Sequence, residues 1–196
     1  DVMTNAGVDE VGRGALFGTV VAAAIILRPD VEIWLQQQGV TDSKSLTPRT
    51  RQALIPVIQS AAVDIQVGWV SVRQIDRINI LQASLQAMGR AVIRLSPQPT
   101  RCLVDGNQPI PNLTIEQKTI VKGDRSVVAI AAASIVAKVW RDTLIIRLAN
   151  RYPGYDLASN KGYGSPKHLA GLKSLGPTRH HRRSFKGCQQ MSLPES

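Results

Sequence analysis

Residues 20–27 read VVAAAIIL, eight consecutive apolar side chains, all but Leu27 small or β-branched, that leave no polar face. A strand of this kind must be covered on both sides, which confines the chain to a sheet layered between helices and excludes a sheet with one wet face. The same run is far short of the ~18 residues that a membrane span needs. Residues 6–10 form a partner strand, joined to 18–27 through the glycine-rich connection Val11-Gly12-Arg13-Gly14. Thr41-Asp42-Ser43-Lys44-Ser45 is a loop, and Thr47-Pro48 reads as N-cap and first position of a short helix. Val63, Ile65, Val67 and Trp69 alternate with more polar neighbours, as in a half-buried strand. Ile75, Ile78, Leu81, Leu85, Met88, Val92 and Leu95 recur at spacings of three and four, which predicts one amphipathic helix ended by Pro97 and Pro99.

Further along, 101–104 reads as a short strand closed by Asp105-Gly106, and 118–121 as the last strand. A long alanine-rich helix runs from 128 to about 150 and is able to sit close to a sheet; Pro153-Gly154-Tyr155 breaks it. A short helix at 166–175 is stopped by Gly176-Pro177. A hairpin followed by alternating helix and strand predicts an α/β fold with a mixed sheet flanked by helices. The expected organisation is a core at 1–150 and a small, basic, helical C-terminal extension at 151–196 beside the sheet.

Composition narrows the class of protein. The 196 residues are 43% hydrophobic, enough for a real core and too apolar for disorder. Cys102 and Cys188 make no disulfide framework and no Cys-x-x-Cys zinc site, so a reducing, cytoplasmic setting is expected. No signal-peptide pattern opens the sequence. The net charge of +10 is unevenly placed: residues 151–196 hold eight Lys or Arg against Asp156 and Glu195. Nucleic acid is the commonest partner for such asymmetry, although a solvated basic surface accounts for the charge alone. Membrane binding is not expected, because no basic amphipathic helix with bulky apolar residues is present.

In a chain with so few acids, their positions are informative. Asp9 and Glu10 end an apolar strand and run into Gly12-Arg13-Gly14; Asp105 ends another strand; Asp124 follows Lys122-Gly123 before the alanine-rich helix. Carboxylates gathered at one point repel unless a cation neutralises them, and oxygen-only ligands favour Mg²⁺ or Mn²⁺. Two such ions ~4 Å apart can activate a water and stabilise the leaving oxygen of a phosphodiester. Taken singly, Asp105-Gly106 is also an ordinary turn and Asp124 an ordinary helix-entry residue. The adjacent pair Asp9-Glu10 has no structural motive in a hydrophobic hairpin.

These residues carry a family resemblance. Ala6-Gly7-Val8-Asp9-Glu10-Val11-Gly12-Arg13-Gly14 closely resembles the opening signature of the type 2 ribonuclease H, or ribonuclease HII, family. Asp42-Ser43-Lys44-Ser45-Leu46, Val104-Asp105-Gly106 and Lys122-Gly123-Asp124 resemble its following motifs, the last with Ala132-Ala133-Ser134-Ile135-Val136-Ala137-Lys138-Val139 and Arg141-Asp142. Lys161-Gly162-Tyr163-Gly164 and His181-Arg182-Arg183-Ser184-Phe185 complete the pattern in order, with Ser165 where members commonly have threonine. The resemblance implies a ribonuclease H-like fold with a C-terminal helical extension. It implies an endonuclease that cuts the RNA strand of RNA–DNA hybrids, and a monomer is expected. It also implies nicking of duplex DNA on the 5′ side of embedded ribonucleotides, leaving 3′-hydroxyl and 5′-phosphate ends, as in ribonucleotide excision repair.

By the same resemblance Asp9, Glu10, Asp105 and Asp124 are the catalytic and metal residues, for Mn²⁺ or Mg²⁺ and two ions. Gly12, Arg13 and Gly14 read the 2′-hydroxyl through backbone groups, Tyr163 stacks on the adjoining deoxyribose, and Lys44, Ser134 and Lys138 hold phosphates. His180 and His181 are expected to meet phosphate or solvent rather than a metal. The tail Gln190-Met191-Ser192-Leu193 faintly resembles peptides that dock on a sliding clamp, against the simpler reading of a polar tail. Two other classes compete: a non-catalytic RNA-binding module, and a junction resolvase on the same fold. Eight aromatic residues give a pure binder few stacking platforms, and a resolvase would share the acids but not the Gly-Arg-Gly segment or the tyrosine.

Overall fold

The apolar run is the second strand of a five-stranded sheet, and both its faces are buried. The computed structural model describes residues 3–189. In chain order the elements are β1 (Asn5–Val11), β2 (Val20–Leu27), α1 (Glu32–Gln37), a single 3-10 turn (Ser43–Ser45), α2 (Pro48–Ala61), β3 (Ala62–Val70), α3 (Val72–Ile78), α4 (Ile80–Val92), β4 (Arg101–Asp105) and β5 (Glu116–Ile120). Then follow α5 (Gly123–Ser126), α6 (Val128–Ala149), α7 (Leu157–Asn160), α8 (Pro166–Leu175) and α9 (Lys186–Gln189). The sheet order is β3-β2-β1-β4-β5, with β1, β4 and β5 parallel and the β1–β2 and β2–β3 pairs antiparallel. This is the expected mixed α/β sheet.

Alternation along β2 divides two cores. Val20, Ala22, Ala24 and Ile26 face α3 and α4 with Val8, Met88 and Val104, while Val21, Ala23 and Ile25 face α2 and α6 with Ile58, Ala132 and Ile135. Small residues let the helices approach closely: a Cβ at Gly7 would lie 2.2 Å from the Ala129 carbonyl carbon of α6, and one at Gly68 2.2 Å from the Ala87 oxygen of α4. Helix α6 therefore crosses the sheet at β1 and α4 at β3.

Three expectations about the elements are corrected. The amphipathic stripe from Ile75 to Leu95 is not one helix: Asn79, at φ 72°, ends α3 and starts α4, its side chain accepting from the Gln82 N–H. The helix after Thr47-Pro48 is fourteen residues rather than short, with the expected Thr47 cap accepting from the Thr50 N–H. Helix α1 was not anticipated. The last strand starts two residues earlier than the sequence suggests.

The extension shares a third core with the β1–β2 connection: Tyr155, Leu157, Leu172 and Cys188 pack on Leu16, Phe17 and Ile145. Residues 180–182 run alongside 16–18, with Gly18 N–H donating to His180 O and Arg182 N–H to Leu16 O. Asp76 of α3 accepts from the Arg183 and Ser184 N–H groups and so ties the segment down. Both cysteines are buried and form no disulfide with each other. Among the described residues no helix is long and apolar enough to cross a membrane. The tail at Gln190 to Leu193 lies outside the described residues.

Because its neighbour is backbone rather than a movable side chain, Gly7→Ala should destabilise the protein by roughly 3 kcal/mol, about 10 °C in Tm for a chain of this size. A melting curve that overlays the wild type contradicts this docking of α6 on β1.

Candidate active site

Parallel pairing decides where the acids go. Val8 of β1 is in register with Val104 of β4, so Asp9 and Asp105, one residue further on, emerge side by side at the carboxyl ends of the two strands. Glu10 follows Asp9, and Asp124 enters from α5 just beyond β5, its N–H donating to Asp105 Oδ1 at 3.3 Å. Carboxylate oxygens of Asp9, Glu10 and Asp105 all lie within 4.8 Å of one another. Asp124 stands beside this trio on the wall of the same cleft, which encloses about 470 Å³.

The electrostatics follow from that crowding. Burial, then Glu10 and Asp105, hold the Asp9 carboxyl well above the usual carboxylate range. Burial raises Glu10 too, against the Asp9 contact and the Arg13 guanidinium 3.8 Å away. Asp124 is raised by burial, Asp105 and Asp42. Glu10 Oε2 is buried with no hydrogen-bond partner among the described residues. An unpartnered carboxylate oxygen inside an all-oxygen cluster suits a hard divalent cation, so the donor set fits the expected metal.

The facing wall is main chain. Gly12, Arg13 and Gly14 line the cleft, and a Cβ at Gly14 would lie 3.9 Å from Tyr163 Cε1. At Gly12 (φ 89°) a Cβ would meet Arg141 Nε at 2.3 Å, so both conformation and space require glycine there. Lys44 sits at the exposed tip of its loop. Asp42 accepts from Ser45 N–H (3.1 Å) and Ser45 Oγ (2.7 Å), and Arg51 donates to the carbonyls of Ser43 and Leu46. Lys138 also lines the cleft, 2.9 Å from Asp142 and 5.8 Å from the Tyr163 ring centre.

Ser134, expected at a phosphate, is placed behind this wall. It is 3% exposed, and its hydroxyl donates to Ala131 O while accepting from Ser43 N–H. The structure thus brings ten of the eleven expected residues to one cleft and buries Ser134 beneath the Lys44 loop.

Sequence reasoning missed the groups that hold these walls. Arg141 donates to the carbonyls of Thr19, Phe17 and Lys161, and Arg182 to those of Gly18, Arg13 and Gly12, at 2.7–2.9 Å. Burial and the neighbouring Arg141 pull Arg182 down to about 9, which leaves it charged at neutral pH. The positions 134, 138, 141 and 145 lie on one helical stripe, the only sign of this face that the sequence offers.

His181 also departs from expectation: it is 1% exposed and so is closed off from solvent. His168 Nδ1 lies 2.8 Å from Tyr163 O and therefore carries the proton; its Nε2 then accepts from His181 Nε2 at 2.9 Å. His181 Nδ1 in turn accepts from the Thr178 N–H at 2.9 Å. A chain of two neutral imidazoles thereby anchors the tyrosine loop, and Ser165, in the threonine position, caps α8 by accepting from His168 N–H.

A mixed sheet in this order, with acids at the ends of its parallel strands and cationic side chains around the cleft, defines a metal-dependent nuclease of the ribonuclease H class. Its structure superimposes on the ribonuclease H2 of Pyrococcus horikoshii with a TM-score of 0.81, at 27% identity over 96% of this chain and 97% of that one. A ribonuclease HII of Archaeoglobus fulgidus, solved as a complex with PCNA, matches with a TM-score of 0.80 at 26% identity, over 97% of this chain and 98% of that one. A ribonuclease HII of Acaryochloris marina is 62% identical over 97% of this chain and 96% of its own. The family model for ribonuclease HII matches residues 6–188. The chain belongs to the ribonuclease HII family, whose activity is cleavage of the RNA strand of RNA–DNA hybrids.

The imidazole chain generates a pH dependence. Burial and then the neighbouring His168, His180 and Arg183 lower His181 to about 4, against 6.5 for the free side chain. The unfolded chain therefore binds more protons between those values, so the contribution of His181 is complete above pH 6.5 and is lost as pH falls toward 4. The melting-temperature gap between wild type and His181→Gln should narrow across that window. A gap constant from pH 7.5 to 4 contradicts the neutral pair.

Proposed function

We propose that this nuclease also nicks duplex DNA on the 5′ side of single embedded ribonucleotides, with Asp9, Glu10, Asp105 and Asp124 holding two divalent cations, Mg²⁺ or Mn²⁺. The observation that carries the reading is the proximity of two kinds of sugar reader on one cleft: the Gly12-Arg13-Gly14 main chain, exposed at Arg13 and Gly14, and, beside Gly14, the half-buried Tyr163 ring. A 2′-hydroxyl alone does not mark a junction, since every ribonucleotide has one. A flat ring pressed on a deoxyribose supplies the second criterion by sterics.

When bound, the cations would supply Lewis acidity for activating water and for stabilising the leaving oxygen. The four carboxylates orient them. Hydrolysis forms a bond from water oxygen to phosphorus and breaks the bond to the 3′-oxygen, leaving 3′-hydroxyl and 5′-phosphate ends suited to ribonucleotide excision repair. Lys44 and Lys138 hold flanking phosphates as cationic point charges, and Ser134 acts through the loop that carries Lys44. Residues 151–196, with most of the net charge, form a substrate-binding extension to a catalytic core at 1–150, and the enzyme works as a monomer in the cytoplasm. The Archaeoglobus relative's complex with PCNA supports sliding-clamp docking for this chain as well.

The test is a DNA duplex carrying one ribonucleotide. With Mg²⁺ or Mn²⁺ it should be nicked 5′ of that residue, and in excess chelator it should stay intact. Tyr163→Ala should lose roughly 10- to 100-fold in turnover on this duplex, the size of a stacking contact of ~1–3 kcal/mol, with little change in Tm. A wild-type enzyme that leaves the duplex intact while cutting long hybrids overturns the reading. A Tyr163→Ala protein that melts early in proportion to its loss makes the tyrosine a packing residue.

A further inference from the structure

Arg141 and Arg182 are fully buried, and among the described residues neither forms an ion pair with a carboxylate. Burying a guanidinium without a counter-charge is costly unless every donor is used. Here the partners are six main-chain carbonyls, and five of them belong to one stretch of chain, residues 12–19. Arg182 comes from the far end of the chain: its Nη2 donates to Gly12 O at 2.7 Å, its Nη1 to Arg13 O at 2.9 Å and its Nε to Gly18 O at 2.9 Å. Its plane also lies over Phe185, 5.1 Å from the ring centre, which limits its rotation.

Peptide geometry gives this contact a consequence for the cleft. The cis bond of the described chain is at Ser96-Pro97, so the peptides joining 12 to 13 and 13 to 14 are trans. In a trans peptide the N–H points opposite to the C=O. With the carbonyls of Gly12 and Arg13 turned inward onto one rigid guanidinium, the N–H groups of Arg13 and Gly14 point the other way. Both residues are exposed and line the cleft, and neither N–H has a hydrogen-bond partner among the described residues.

We propose that Arg182 is a positioning residue for sugar selectivity: by holding the Gly12 and Arg13 carbonyls it presents the Arg13 and Gly14 N–H groups as a preformed donor pair for the 2′-oxygen of a ribonucleotide. This rests on the reading of the cleft as a ribonucleotide site. A deoxyribose leaves the pair unsatisfied, and a site built to hydrogen-bond a hydroxyl rejects the analogue that lacks it. Arginine is required because its planar fork meets both carbonyls at once, whereas a lysine ammonium is a single point. The arrangement also gives the C-terminal extension a part in sugar discrimination through a residue that does not itself touch the sugar.

The experiment measures binding of two duplexes in chelator, one carrying a single ribonucleotide and one of the same sequence in DNA alone, to wild type and to Arg182→Lys. The preference for the ribonucleotide should fall about tenfold in the variant, the size of one or two hydrogen bonds, while affinity for the all-DNA duplex is kept. The Mn²⁺-induced rise in Tm should be retained, since the acids are untouched. A folded Arg182→Lys protein that is as selective as wild type overturns the proposal. If that variant gives no cooperative melt, amide hydrogen exchange on the wild type decides. Arg13 and Gly14 should exchange fast in the free protein and slowly only with the ribonucleotide duplex. Protection already present in the free protein, or equal with both duplexes, overturns it. A wild type that binds both duplexes alike overturns the reading of the cleft and the proposal with it, whereas selectivity in the wild type with no effect of Arg182→Lys removes the proposal alone.

Discussion

Repulsion among Asp9, Glu10 and Asp105 is the constraint around which the rest is arranged. Their oxygens lie within 4.8 Å of one another in a largely buried position, and Asp9 is held well above its ordinary range by burial and by the other two acids. A carboxyl raised in this way favours the folded chain when protonated, and that contribution is lost as pH rises through its raised range. The sheet tolerates the cluster because the two apolar cores on either side of β2 are closed independently of it. Two parallel strands, β1 and β4, then deliver these acids to one edge by register. A divalent cation supplies the opposite charge that the main chain and side chains around Asp9 do not.

The other wall of the cleft needs the reverse solution. Acids at strand ends are fixed by the sheet, but the glycine segment that faces them has no ladder to hold it. The Gly12 and Arg13 carbonyls are taken instead by the buried Arg182 of the extension, and those of Phe17 and Thr19, a few residues on, by the buried Arg141 of α6. Helix α6 serves as the spine of this arrangement: Ser134 fixes the Lys44 loop, Asp142 links Lys138 to Arg51, and Arg141 joins the glycine segment to the Lys161 carbonyl of the tyrosine loop. The imidazole pair fixes the same tyrosine loop from behind. The acidic cluster and the glycine and tyrosine segments that face it are therefore positioned by separate devices that meet along one helix.

What was legible in the sequence follows the same division. The acids stood out because a charge at the end of an apolar strand has no packing reason to be there. The two-faced burial of β2 and the close approach of α6 were legible as runs of small and β-branched residues. The break at Asn79 was not, because the apolar stripe stays in phase across it and only the backbone turns. Nor were Arg141, Arg182 and His181. An arginine or histidine in a basic segment reads as solvated unless its partners are known, and here the partners are carbonyls, a second imidazole and a threonine N–H, which no residue pattern encodes. Ser134 was expected at a phosphate, and its side chain lies buried beneath the Lys44 loop, since family motifs mark which residues matter but not how deep they lie.

The direct test of the electrostatic frustration is a pair of melting curves for wild type and Asp9→Asn at neutral pH, each in chelator and in Mn²⁺. The amide keeps an oxygen able to accept from the Glu10 N–H, now 2.7 Å from Asp9 Oδ1, while removing the buried charge. In chelator Asp9→Asn should melt above wild type, and Mn²⁺ should raise the wild type substantially and the variant little. A variant that melts at or below wild type in chelator, and gains as much from Mn²⁺, would contradict the view that the acids oppose folding until a cation joins them.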